Sequence, residues 1–180
     1  MKKKLFIGAL LIVLFVTITG CGKDKNTNKT KTIREEDKKI VLKDDSFGTT
    51  TMTYAKDKDY EIKEEHTGKY TQLTITSQKE NFELQLYHFD TTSANFGTGK
   101  ANRSNSNGFM EYAWNNLKGY TYNGDKFSIS FNVLLKDNSN SSKALFGQMS
   151  YIDNNTANIE ETFRSEGFQK ILNSITFEEK

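Results

Sequence analysis

Nine consecutive residues with alternating side chains carry the strongest structural signal in this 180-residue chain. The apolar positions are Phe127, Ile129, Phe131, Val133 and Leu135, and they alternate with Ser128, Ser130, Asn132 and Leu134. A period of two puts the apolar set on one face, so the stretch predicts a β-strand against a core. It follows Tyr120 to Tyr122 and Asn123-Gly124, a dipeptide that tolerates the positive φ of a tight hairpin turn.

Weaker alternation predicts five further strands. They lie at Phe47 to Tyr54, Tyr60 to Glu65, Tyr70 to Thr76, Phe82 to Phe89 and Ala144 to Asp153. With Tyr120 to Tyr122 counted as the first strand of the hairpin, these make seven strands with short turns between them, which indicates an antiparallel sheet. Thr91 to Ser106 is the longest connection predicted to lack structure, and loops of that length in compact domains are often functional or disordered.

Two segments have helical spacing instead. Asn107 is expected to cap a helix from Gly108 to Lys118, which Gly119 ends. Further along, Asn158 and Glu161 resemble a capping box at the start of a second helix.

In the second helix, apolar residues recur at helical spacing from Ile159 to Ile175. Gly167 is its weak point, because glycine costs a helix about 1 kcal/mol relative to alanine. A short strand, Thr176 to Phe177, follows. The elements together predict one α+β domain over residues 40–180, an antiparallel sheet of about six or seven strands packed with two amphipathic helices.

A family resemblance accompanies this pattern. The ending Phe168 to Phe177 (FQKILNSITF) resembles the close of PsbP-like domains, relatives of an extrinsic photosystem II subunit. The run Phe47 to Tyr60 is similar too, with a strand ending at Tyr54 and a charged loop, although Ala55 stands where such domains often have proline. The resemblance implies an α/β/α sandwich, and it implies no function because such domains share architecture more than a site.

The N-terminal segment has the pattern of a secretory signal. Three lysines at positions 2–4 precede an almost unbroken apolar stretch of 14 residues from Leu5 to Ile18. As a helix this stretch would be about 21 Å long, short of the roughly 30 Å hydrocarbon core. We therefore predict a signal peptide over residues 1–20.

The end of that segment, Ile18-Thr19-Gly20-Cys21, resembles the lipobox of bacterial lipoproteins. The resemblance implies a diacylglyceryl group on Cys21 and cleavage after Gly20, which places the protein outside the cytoplasm, held at the cell membrane by lipid. Cysteine is required because its thiolate is the side chain nucleophilic enough to take the lipid. The alternatives are an ordinary secretory signal with a chance cysteine, or an anchor helix that is never cut.

Cys21 is the only cysteine in the chain. It has no internal partner for a disulfide, so the domain has to be held together by packing. Once Cys21 carries lipid, no thiolate is left for catalysis or for a metal.

A polar run from Gly22 to Lys39 follows the lipobox and predicts a flexible tether. It holds seven basic and four acidic residues, while Ile40 to Lys180 holds 15 basic and 19 acidic ones. The tether either lies on anionic lipid or is a solvated spacer. The formal charge of the whole chain is only +2, so it lacks the excess of basic residues that nucleic-acid-binding proteins have. Nucleic acid is therefore not expected as a partner.

Two histidines are the candidates for chemistry. His66 falls in the polar turn Glu64 to Gly68 and is expected to be solvated. His88 continues the apolar face of its strand and is expected at the edge of the packed layer, two residues before Asp90. Because a zinc site needs at least three protein ligands, neither histidine predicts a metal, and no cofactor is predicted.

Other motifs are weak. Phe96 to Lys100 contains two glycines and a lysine without the spacing of a phosphate-binding loop, and no Gly-x-Ser-x-Gly elbow occurs. Two loops rich in Asn and Ser, Asn102 to Asn107 and Asp137 to Ser142, are both expected to follow strands. They are either an adaptable recognition surface or spacers.

These patterns favour a monomeric, non-enzymatic binding or assembly module at the outer face of the cytoplasmic membrane, with an envelope protein as its partner. The alternative is a small envelope hydrolase that uses His88 and a nearby acid. A third reading, the solute receptor of an ABC transporter, fits the anchor but not the size, because such receptors need two lobes.

Overall fold

The computed structural model of the protein describes residues 37–66, 70–125, 127–153 and 158–180. The signal segment, Gly20 and Cys21 of the lipobox, and residues 22–36 of the predicted tether lie outside these ranges. Among the described residues, no helix combines the length and the apolar character that crossing a membrane requires.

Within the described ranges the chain forms ten strands and three helices. The strands are β1 (Lys38–Asp44), β2 (Gly48–Tyr54), β3 (Glu61–His66), β4 (Thr71–Ser77), β5 (Phe82–Thr91), β6 (Met110–Trp114), β7 (Leu117–Asp125), β8 (Ser128–Lys136), β9 (Ser142–Ser150) and β10 (Thr176–Glu179). The helices are α1 (Ser93–Arg103), α2 (Ile159–Arg164) and α3 (Glu166–Asn173). The predicted α+β class and the antiparallel sheet are confirmed.

Two antiparallel sheets organise the domain. The large sheet has seven strands in the order β3-β4-β5-β9-β8-β7-β6, and the small sheet has three in the order β1-β2-β10. At the centre of the large sheet β5 pairs with β9, a strand more than 50 residues further along the chain, with Leu86 opposite Gly147. The sequence prediction contained a single sheet and therefore missed the small one.

The main core lies between the two sheets. One face of the large sheet, which we call the core face, contributes Leu84, Phe131 and Leu145, and the small sheet contributes Ile40 and Met52. All five are fully buried. Helices α2 and α3 pack against the same core, so one side of the large sheet is closed by secondary structure.

The opposite face of the large sheet, which we call the outer face, carries a second and smaller cluster. Phe96 of α1 packs there against Tyr120, with ring centroids 5.3 Å apart, beside Leu134 and Ala144. Because this cluster covers one end of the outer face, β8 is buried on both faces, and Ser130 and Asn132 are buried as well. The polar face predicted for this strand is therefore not solvated.

The helix predicted from Gly108 to Lys118 is wrong. The segment forms the β6–β7 hairpin, which turns at Asn115 and Asn116 with φ values of 49° and 66°. Positive φ at both central residues is the geometry of a type I′ turn, and asparagine tolerates it. Tyr112 stacks on Trp114 at 4.8 Å, so the aromatic residues read as helical spacing occupy one face of a strand.

The unstructured connection predicted from Thr91 to Ser106 is also wrong, because most of it is helix α1. The side chain of Thr92 accepts a hydrogen bond from the backbone N–H of Asn95 and caps the helix. Phe96 is the buried residue of this helix. With so little apolar surface, α1 leaves no amphipathic pattern in the sequence.

The single helix predicted from Ile159 to Ile175 forms two helices, α2 and α3. Asn158 caps α2 as predicted, accepting from the backbone N–H of Glu160. Ser165 then has an extended ψ of 146°, ends α2 and caps α3 through a bond from Phe168 N–H. The break therefore lies two residues before Gly167, which is inside α3, and the final strand is confirmed as β10.

The predicted turn at Asn123-Gly124 and the predicted start of the domain also differ from the structure. Asn123-Gly124, the predicted turn, lies inside β7, where the register with β8 shifts between Asn123 and Asp125. At the start of the domain, β1 begins at Lys38, and the Asp37 carboxylate is 2.8 Å from the Lys170 ammonium of α3. The last residues of the predicted tether are thus tied to the domain.

Candidate functional site

His88, the main sequence candidate for chemistry, lies on the core face of β5 and is 4 % exposed. Its Nε2 atom is 2.7 Å from the Thr50 hydroxyl oxygen of β2. The imidazole stacks on the Phe47 ring with centroids 4.4 Å apart and planes 8° apart. The side chain therefore lies between the two sheets rather than at the edge of the packed layer, where it was predicted.

Burial sets the electrostatics of this imidazole. Burial lowers the pKa of His88 to about 4 because it penalises the charged imidazole. The Asp44 carboxylate acts to raise this pKa, and the Lys143 ammonium lowers it further. Nδ1 has no hydrogen-bond partner among the described residues. The neighbouring acid, Asp90, has its carboxylate 2.6 Å from the Lys143 ammonium instead. At neutral pH His88 is an uncharged packing residue without access for a substrate.

His66 is at the exposed end of β3. Its Nε2 atom is 3.1 Å from the Glu64 carboxylate, and its Nδ1 atom is 3.1 Å from the Thr71 hydroxyl. In the described ranges, no three side chains among His, Cys, Asp and Glu converge as metal ligands. A shallow cleft of about 340 Å³ beside the small sheet is lined by residues of both charges, including Asp44, Lys43 and Glu178.

The two Asn/Ser-rich loops lie at opposite ends of α1. Asn102 to Asn107 starts in the last turn of this helix and does not follow a strand. The Asn107 carbonyl accepts a 2.7 Å hydrogen bond from the Asn123 backbone N–H. In the loop from Asp137 to Ser142, the Ser142 hydroxyl donates to the Asn138 carbonyl over 2.6 Å, and Ser93 at the start of α1 donates to Asp137. These bonds tie both loops, and with them the ends of the helix, to the large sheet.

The part of the outer face that α1 leaves uncovered is the strongest candidate for a binding surface. Residues that pair directly across antiparallel strands point to the same face of a sheet. Two adjacent rows therefore cross strands β4, β5 and β9 on the outer face. These rows are Gln72, Tyr87 and Phe146, and Thr74, Gln85 and Gln148. We call these six residues the aromatic–amide patch, and all six are half-buried.

Ring contacts join the two aromatic residues of the first row and a third ring, Tyr70, which lies beside the patch. Tyr87 is 4.9 Å from Phe146 between ring centroids, and Tyr70 lies 5.2 Å from Tyr87 on the other side. Burial raises the pKa of Tyr87, and the Tyr70 and Tyr122 hydroxyls nearby add to this effect. Three aromatic rings thus lie side by side on a rigid sheet, flanked by amides.

Charged groups stand at the border of the patch. The Arg103 guanidinium from the last turn of α1 lies 4.5 Å from the centroid of the Tyr122 ring. At another border, the Glu83 carboxylate accepts a 2.8 Å hydrogen bond from the Gln85 amide. On β3 the two rows end at Glu65, opposite Gln72, and at Lys63, opposite Thr74, and these two charges pair with each other at 2.6 Å. The six patch residues themselves carry no charge, so they offer stacking and hydrogen bonding.

Sequence reasoning missed this patch. Tyr87 and Phe146 occupy the positions that a period of two assigns to the polar face of β5 and β9, and that misplacement of large rings was the available signal. Their proximity depends on the pairing of β5 with β9, which joins distant parts of the chain.

Comparison with known proteins adds no relative. No protein-family model matches the chain, and no curated protein or solved structure matches it significantly. The resemblance of Phe168 to Phe177 and of Phe47 to Tyr60 to PsbP-like domains therefore stays a prediction.

Proposed function

We propose that the protein is a lipid-anchored, non-enzymatic binding module at the outer face of the cytoplasmic membrane. Cys21 carries the lipid, and a monomeric domain of PsbP-like build holds an envelope partner on the aromatic–amide patch. The observation that carries the proposal is the patch itself, six uncharged residues in two rows on the open part of the outer face. Half-buried rings and amides on a rigid sheet combine apolar contact with hydrogen bonding, which is the composition of recognition surfaces.

The place where the chain enters the domain supports the same proposal. Asp37 and β1 belong to the layer of the small sheet, which packs on the core face. The aromatic–amide patch is on the opposite face of the large sheet. A tether that arrives on one side leaves the patch on the other side free to meet a partner beyond the membrane surface.

The resemblance to PsbP-like domains is supported by the layers of the fold. Helices α2 and α3 pack on the core face of the large sheet, and α1 packs on the outer face. An antiparallel sheet between helices is the build that the resemblance implies. The small sheet beside α3 is an addition that the resemblance did not anticipate.

The alternative, a hydrolase that uses His88, has no observation in its favour. A general base must reach within about 3 Å of the proton that it removes from the substrate. His88 is enclosed by Phe47 and Thr50, and the acid beside it binds Lys143.

Photo-crosslinking in intact cells tests the binding module. With benzoylphenylalanine in place of Gln85, we expect irradiation to give one defined adduct, because Gln85 lies in the centre of the patch. The same group in place of Lys56, an exposed residue between β2 and β3, is the matched control and should give no defined adduct. Equal or random adducts from both positions would remove the proposal.

A further inference from the structure

The aromatic–amide patch has a composition that selects among classes of ligand. We infer that its ligand is an uncharged glycan, a chain of pyranose rings that lies across β4, β5 and β9. The inference rests on the proposed function, because it names the ligand of the same surface. Three properties of the patch support it: the aromatic rings, the side-chain amides and the absence of charge on its six residues.

The rings fit one side of a pyranose. The C–H groups on the face of such a sugar form an apolar surface with a slight positive charge, and the face of an aromatic ring is negative. Tyr70, Tyr87 and Phe146 follow one another at centroid distances of 5.2 and 4.9 Å. A row of adjacent rings suits a ligand made of repeated flat units better than a single compact molecule.

The amides fit the rim of the same sugar. Each sugar hydroxyl both donates and accepts hydrogen bonds, and a glutamine side chain offers a donor and an acceptor in one group. Gln72, Gln85 and Gln148 border the two rings, and the Thr74 hydroxyl lies in the same row as Gln85 and Gln148. A sugar stacked on Tyr87 or Phe146 therefore meets polar partners at its edges.

Charge and size argue against the other envelope ligands. The domain from Ile40 to Lys180 has 15 basic and 19 acidic residues, a net charge of −4 that disfavours anionic polymers and anionic lipid headgroups. A standard protein interface uses roughly 20–30 residues on each side. The six residues of the patch are fewer than that, and two short rows across three strands match a short stretch of glycan.

Binding of defined oligosaccharides to the detergent-extracted, full-length protein tests the inference. The probes are two uncharged oligosaccharides, chitotetraose and cellotetraose, and one anionic oligosaccharide, tetragalacturonate. Isothermal titration calorimetry measures the binding of each probe. We expect saturable binding of at least one uncharged tetrasaccharide and none of the anionic one. Phe146→Ala should weaken it about tenfold and Gln148→Ala about fivefold, the losses expected for one stacking contact and one hydrogen bond.

Val41→Ala is the matched control, because Val41 is 44 % exposed on the small sheet, away from the patch. This variant should bind as the wild type does. Gln148→Ala keeps the test decisive if Phe146→Ala fails to fold, since it removes only a half-buried amide.

Two outcomes would overturn the inference: no saturable binding of either uncharged probe, or binding of tetragalacturonate as tight as theirs. If crosslinking from position 85 in cells still gives a defined protein adduct, the binding module stands and only the ligand class is wrong. If that crosslinking also fails, both proposals fall.

Discussion

Replacing Cys21 with alanine is expected to abolish labelling of the protein by a palmitate analogue in growing cells. The effect should be complete, because Cys21 is the only cysteine in the chain and only a thiolate reacts readily enough to take the lipid. Without the lipid, the chain either stays uncleaved, held by the apolar stretch from Leu5 to Ile18, or is cut elsewhere and leaves the cell. Membrane fractionation separates these two results.

The folded domain provides the internal control for this experiment. Its described core begins at Ile40 and contains no cysteine, so the thermal unfolding of Cys21→Ala should match that of the wild type. A wild-type protein that takes up no label would contradict lipid anchoring. Label that persists on Cys21→Ala would show that another residue carries it.

Acid is expected to destabilise the domain by about 2–3 kcal/mol through His88 alone between pH 7 and pH 4, since each pKa unit corresponds to 1.36 kcal/mol. The pKa of His88 falls from 6.5 to about 4 on folding, chiefly because burial penalises the charged imidazole. Between pH 6.5 and about pH 4, the His88 imidazole is mostly protonated in the unfolded chain and mostly neutral in the folded protein. The contribution of His88 to stability is therefore complete above about pH 7 and declines as the pH falls toward 4.

Urea unfolding at pH 7 and pH 4 measures this loss, with His88→Gln and His66→Gln as a matched pair. Asp44, whose pKa is lowered chiefly by the Ser46 hydroxyl, adds a loss of its own at lower pH, so the comparison between variants isolates His88. His88→Gln should lose about 2–3 kcal/mol less than the wild type over this range. His66→Gln changes an exposed histidine of β3 and is the control for the substitution itself. An equal loss in all three proteins would contradict the burial of a neutral imidazole.

The strands could be predicted where one face is buried and the other is more open. Phe82, Leu84 and Leu86 of β5 are buried and alternate with half-buried residues, so a period of two identified that strand. The prediction of β6 failed because Phe109, Tyr112 and Ala113 fit the spacing of one helix face, although Met110, Tyr112 and Trp114 alternate as in a strand. There the decisive signal was Asn115-Asn116, a pair that tolerates the positive φ of the hairpin.

The candidate site could not be predicted from local sequence patterns. The aromatic–amide patch exists because β5 and β9 are neighbours, and that pairing brings Tyr87 beside Phe146 across more than 50 residues of chain. The burial of His88 has a similar origin, since Phe47 and Thr50 reach it from the small sheet. Neither strand order nor a second sheet is encoded in the period of one segment.

The most direct test of the account is whether the outer face is covered in the cell. Gln85→Cys and the control Lys56→Cys each add one thiol to a chain whose only native cysteine, Cys21, is the residue that we propose carries the lipid. We predict that a membrane-impermeant maleimide labels Gln85→Cys several times more slowly in intact cells than after extraction, while Lys56→Cys reacts equally fast in both. Equal labelling rates for Gln85→Cys in cells and after extraction would contradict a partner bound on the aromatic–amide patch.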